Sequence, residues 1–79
     1  MSNVTYVHYL PWPGRQQTYR FTYTGAGLSA DRASNDSWDR VSYEETQKIL
    51  NFIVLQTLGF VVSVVKVVPE EEIPSQLRQ

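Results

Sequence analysis

Cysteine is absent from these 79 residues. Its absence excludes a disulfide framework, a thiolate metal site and a cysteine nucleophile, and it fits a reducing compartment better than a stapled secreted scaffold. Histidine occurs once, at His8, with no second residue of triad type near it in sequence. A lone histidine within a strand reads as an ordinary surface or core residue rather than a base or a ligand. Carboxylates are missing from residues 1–30, which carry Arg15 and Arg20, whereas Glu70, Glu71 and Glu72 cluster near the other end. The resulting dipole is modest, and solvated surface is the plainer reading of both groups. Seven basic against eight acidic residues give a net charge of −1. That balance argues against strong duplex binding through phosphate neutralisation and equally against an acidic nucleic-acid mimic. The opening MSNVTYVHYL lacks the basic and long apolar regions of a signal peptide, so a cytoplasmic protein is expected and the two Asn-X-Ser/Thr triplets at Asn3 and Asn35 are chance matches. No internal repeat or low-complexity segment is present.

What is present is enough for one small α+β domain. Val4 to Leu10 is rich in β-branched and aromatic residues and reads as a strand, with Val4, Tyr6, His8 and Leu10 on one face and Thr5, Val7 and Tyr9 on the other. Pro11-Trp12-Pro13-Gly14 supplies a hairpin loop. Thr18 to Thr24 alternates strictly, so Tyr19, Phe21 and Tyr23 form a core side and Thr18, Arg20, Thr22 and Thr24 a polar side. The run from Gly25 to Val41 is small and polar without a sustained period, and it reads as a long loop. Ser42 with Glu45 has the capping-box spacing, so a helix starts at Tyr43; Ile49, Leu50, Ile53, Val54 and Leu58 form its core stripe, and Gly59 ends it. Valine-rich Phe60 to Val68 is the third strand, closed by Pro69. The expected architecture is therefore a three-stranded antiparallel sheet, order 2-1-3, with the helix on one face and the other face open. Residues 1–69 form the domain and 70–79 an acidic, flexible tail. Ile49 to Val68 spans 20 residues, but its polar side chains, its glycine and the switch from helical spacing to near-pure valine disfavour a membrane helix.

Nothing in the chain assembles a credible active site, and no enzyme activity, cofactor or metal is expected. Asp31, Asp36 and Asp39 lack the glycine-centred spacing of a calcium loop, Glu44 and Glu45 suit the helix dipole, and Gly25-Ala26-Gly27 is too short for a phosphate cradle. Contact residues are better candidates. Trp12, between two prolines at a hairpin tip, and Arg15 beside it belong to the residue types enriched at interface hot spots. Trp38, next to Asp39 and Arg40, is a second aromatic candidate, and Arg20 and Lys66 complete the set as cations set apart from the aromatic core. The plainer readings are a local clasp for Trp12 and an edge-protecting charge for Lys66. Tyr19, Arg20, Phe21 and Tyr23 resemble a single-strand stacking platform, but the alternation places Arg20 opposite the aromatics and favours core packing.

Leu58-Gly59-Phe60-Val61-Val62-Ser63-Val64-Val65-Lys66, following an acidic-started helix, resembles the close of the small bacteriophage inhibitors of bacterial RNA polymerase of the T7 type. The strand-strand-helix-strand order and the opening Met1-Ser2-Asn3-Val4 are similar as well. The resemblance implies a non-enzymatic phage protein of the host cytoplasm that binds the large subunit of RNA polymerase, or another large nucleic-acid enzyme of the host. It implies that binding inhibits or redirects the target without direct contact to nucleic acid or membrane. Lys66 matches one of the basic strand residues such proteins use, while Val64 stands where another would be. Small anti-CRISPR proteins share such compact layouts, and a host-defence inhibitor acting by protein binding, or a plain interaction module, are the other readings. A domain this small can present about 800 Å² of interface.

Overall fold

The computed structural model describes residues 3–11, 14–60 and 64–78. It is an α+β fold with one helix, and the antiparallel sheet has five strands rather than three. The strands are β1 (Asn3–Tyr9), β2 (Gln17–Thr24), β3 (Gly27–Ser34), β4 (Ser37–Arg40) and β5 (Val65–Val68), and α1 (Tyr43–Thr57) lies between β4 and β5. Their order in the sheet is β4-β3-β2-β1-β5. The three strands expected from the sequence are β1, β2 and β5, and they are neighbours in the expected sense.

The two additional strands come from the run read as a polar loop. Thr24 pairs with Gly27 and Ser34 with Ser37, so Gly25-Ala26 and Asn35-Asp36 are two-residue hairpin connections. Gly27 has φ +119°, a conformation side chains avoid, and Asn35 has φ 56°, the left-handed region that asparagine tolerates best after glycine. Across the second hairpin Asp31 faces Arg40 and Arg32 faces Asp39, so two of the four opposed pairs join unlike charges. This hairpin is held by charge complementarity and backbone pairing instead of an apolar stripe, which hid it from a search for hydrophobic alternation.

Helix α1 is terminated at both ends by its local sequence. Ser42 Oγ accepts from Glu45 N at 3.1 Å. At the other end Gly59, at φ +82°, donates to Gln56 O, and Phe60 N donates to Leu55 O at 2.9 Å, the paired bonds of a Schellman motif. One helix face buries Ile49 against Val7, Tyr9, Tyr19, Phe21, Ala30 and Val65 of the sheet, with Leu50, Phe52 and Ile53 packed around it. Val54 and Leu58, expected in that stripe, are exposed instead at 55% and 63%. A single helix on a sheet needs one buried row, and Ile49 and Ile53 already supply it.

Gln56 closes the connection into β5. Its Oε1 accepts from Val64 N at 2.7 Å and Val65 N at 2.9 Å, and its Nε2 donates to Val65 O at 2.7 Å. The side-chain amide thus stands in for a neighbouring strand at the point where β5 begins. Regular strand structure starts only at Val65; the earlier part of the expected third strand includes residues 61–63, outside the described residues.

The second sheet face is covered in part. After Pro69 the chain forms two 3-10 turns, Glu70–Glu72 and Ser75–Leu77, that place Ile73 and Leu77 with Val68 against Tyr6, Ala33 and Trp38. Trp38 Nε1 donates to Leu77 O at 2.7 Å. The segment expected to be a flexible tail therefore carries a second small core, in which Ile73 is as buried as Val7 and Tyr19 under the helix.

Candidate interaction site

On the face of the sheet opposite the helix, β2, β3 and β4 bring Arg20, Asp31 and Arg40 into one cluster because these residues are register partners in neighbouring strands. Asp31 is buried, and it accepts from Arg20 Nη2 at 3.0 Å and Nε at 3.3 Å on Oδ2, and from Arg40 Nε at 2.8 Å on Oδ1. Burial alone would raise the pKa of this carboxyl, but the hydrogen bonds and charges of Arg40 and Arg20 outweigh it and hold Asp31 below its ordinary value. The Arg20 guanidinium also lies 4.7 Å from the Trp38 ring centroid, and Trp38 in turn tilts against Tyr6 at 6.0 Å. Arg20 is thus fixed by a carboxylate on one side and an aromatic ring on the other.

A separate polar network secures the helix on the first face. Tyr19 donates its hydroxyl proton to Glu45 Oε2, and Arg32 Nη1 donates to the same oxygen at 2.9 Å. Burial, then the hydrogen bond to the Glu45 carboxylate, pushes the Tyr19 phenol up to about 12. This arrangement replaces the return half of the expected capping box: Glu45 spends its carboxylate on the sheet. Each of these groups has a partner within the network, which ties the first turn of the helix to β2 and β3, so the network reads as structural.

Of the contact residues expected from the sequence, the structure brings together Arg20 and Trp38. Arg15 is exposed in the β1–β2 connection, and Trp12 lies outside the described residues. Lys66 is exposed on β5, at the opposite sheet edge from β4 and Trp38. Four strand spacings, roughly 19 Å, separate Lys66 from Trp38 and Arg40, whereas Arg20 on β2 is two strands away from β5. His8 faces Lys66 across β1 and β5. Among the described residues no group of three or more histidine, aspartate or glutamate side chains could hold a metal ion. No described helix is long and apolar enough to cross a membrane.

Asp31 and Arg40 were missed as site residues, although the sequence carries a signal for them. Asp31-Arg32 and Asp39-Arg40 are placed symmetrically about Asn35-Asp36, so folding the chain at that dipeptide apposes opposite charges twice. An apolar surface was also missed. Val54, Leu58 and Phe60 stand exposed around the C-terminal end of α1, Phe60 at 75%. Compared with known proteins, the chain matches no family model, no curated protein and no solved structure.

Proposed function

We propose that the chain is a non-enzymatic, phage-type protein that binds the large subunit of host bacterial RNA polymerase and inhibits or redirects it. The observation that carries this reading is the exposed apolar end of α1, where Val54, Leu58 and Phe60 present large side chains to solvent. Helix-to-sheet packing does not need these residues, and such exposure favours a protein-covered surface. The same stretch, Leu58-Gly59-Phe60, carries the resemblance to the phage polymerase inhibitors. Binding by surface occupation needs no reacting group. Arg15 and Lys66, exposed and cationic, extend the contact surface, with Trp12 as the third member of that set.

The test is capture of purified bacterial RNA polymerase on the tagged chain, paired with promoter-directed transcription. Wild type retains the polymerase and changes transcript yield. Phe60→Asp, at an exposed position, weakens capture at least about 10-fold, equivalent to about 1.4 kcal/mol, with an unchanged circular dichroism spectrum. Equal capture by Phe60→Asp rules out the helix end as the contact. Absence of any polymerase capture removes the reading itself and favours another host enzyme, such as a CRISPR effector.

A further inference from the structure

A groove of about 740 Å³ lies on the second sheet face, beside the part covered by the C-terminal turns. Thr22 and Ser29, paired across β2 and β3, line its floor, Arg20 and Arg40 line one part of its wall, and Val4 and Leu28 add apolar surface. Asp31 gives this groove its character. It engages one N–H of Arg40 and two of Arg20, so most of the five donors on each guanidinium remain free for another acceptor. Two cations on one carboxylate leave a local charge of +1, and the shared anchor restricts the rotamers of both side chains. Arg40 retains its two terminal nitrogens, the pair that matches a carboxylate in a bidentate fork.

We propose that this groove takes a carboxylate side chain from an acidic segment of a partner protein, with apolar residues of that segment against Val4 and Leu28. The inference rests on the protein-binding reading above and names the chemistry of the partner. Charge and geometry favour a peptide over a polynucleotide. Strong polyanion binding accumulates over many neutralised phosphates, whereas this groove offers two arginines already sharing one carboxylate. Beyond Val4 and Tyr6 the same face leads to Glu70, which repels a continuing chain of phosphates. A single carboxylate flanked by apolar side chains meets neither obstacle.

The test titrates the ¹⁵N-labelled chain with a short synthetic peptide carrying one glutamate flanked by leucines, with the glutamine-for-glutamate version as control, and with single-stranded oligothymidylate. The acidic peptide is expected to shift the amides of Thr22, Ser29 and Arg40 at concentrations up to about 1 mM, while the glutamine peptide leaves them in place. Arg40→Gln should weaken the acidic peptide about 10-fold and Arg40→Glu should abolish the shifts. Arg40→Gln keeps the comparison available if the charge reversal beside Asp31 impairs folding. The proposal is overturned if both peptides shift the same amides equally, if the acidic peptide shifts only residues at the end of α1, if no shifts occur, or if oligothymidylate binds more tightly. The titration needs no polymerase, so failed polymerase capture with intact peptide binding removes the functional reading alone. Peptide binding that fails while polymerase is still captured removes the groove alone.

Discussion

Replacing Tyr19 by phenylalanine deletes one oxygen from a side chain that is 1% exposed, and leaves the ring where it packs between Tyr9 and Phe21. The hydroxyl donates to a carboxylate, and hydrogen bonds to charged groups contribute about 1.5–3 kcal/mol. The lower end applies, because the Glu45 side chain is 30% exposed and keeps Arg32 after the change. At neutral pH the expected loss is therefore about 1.5 kcal/mol, against a total near 4–12 kcal/mol for a chain of this length. The same phenol makes wild type sensitive to alkali. Its folded pKa of about 12 lies above the unfolded value of 10.0, so the folded state holds the proton more tightly. The associated stability is fully present below the unfolded value and falls as pH rises toward the folded one. With those values, wild type should lose about 1.7 kcal/mol between about pH 9.5 and about pH 11.5 through this group alone. Tyr19→Phe should lack that component. Urea unfolding followed by circular dichroism at both pH values gives the four free energies required. Parallel pH dependence in the two proteins would refute the link between Tyr19 and Glu45.

Three further outcomes follow from other contacts. Ile73→Ala should cost about 2–4 kcal/mol if the C-terminal turns pack on the sheet as described, and next to nothing if they do not; equilibrium unfolding distinguishes the two. Gln56→Leu leaves two backbone N–H groups and one carbonyl without their partner, so a loss of about 2–3 kcal/mol is expected, and hydrogen exchange at Val64 and Val65 should accelerate while that at Val7 stays slow. The Asp31 ion pairs stabilise the fold above the unfolded carboxylate value of about 3.9 and are lost as pH falls through the lower folded value; Asp31→Asn should be less stable at neutral pH and show a shallower acid limb in thermal melts.

Elements whose signals were local were legible in the sequence. Ser42 with Glu45 gave the helix start, Gly59 its end, and strict alternation placed Tyr19 and Phe21 on the core side and Arg20 on the other, but it also put Tyr23 in the core, where the structure leaves it exposed near the end of β2. The β3–β4 hairpin was not, because Leu28 to Ser34 is mostly small or charged and pattern reading expects an apolar face. Its stabilising terms are cross-strand and appear only once Asp31 is set opposite Arg40. Ile73 and Leu77 failed for a similar reason: each is an isolated apolar residue among glutamate, proline and serine, and composition argued for a tail. Half of the arginine cluster, Arg20 and Trp38, was named in advance, while the anion that organises it was read as a loop aspartate.

The first and last strands of this protein are partners: Tyr6 to Tyr9 of β1 pair with Val65 to Val68 of β5, some sixty positions later in the chain. During synthesis the β1–β2–β3–β4 hairpins can zip in order as they emerge, since each pairs with its immediate neighbour. One edge of β1, including buried Val7 and Tyr9, then stays without its strand until Val65 to Val68 have left the ribosome. An uncovered edge of that kind invites pairing with another chain. The second core adds to the delay, because Ile73 and Leu77 follow β5 in the chain. Truncation ahead of β5 would release chains with an unsealed sheet, and truncation ahead of Ile73 would leave the second core without its cover.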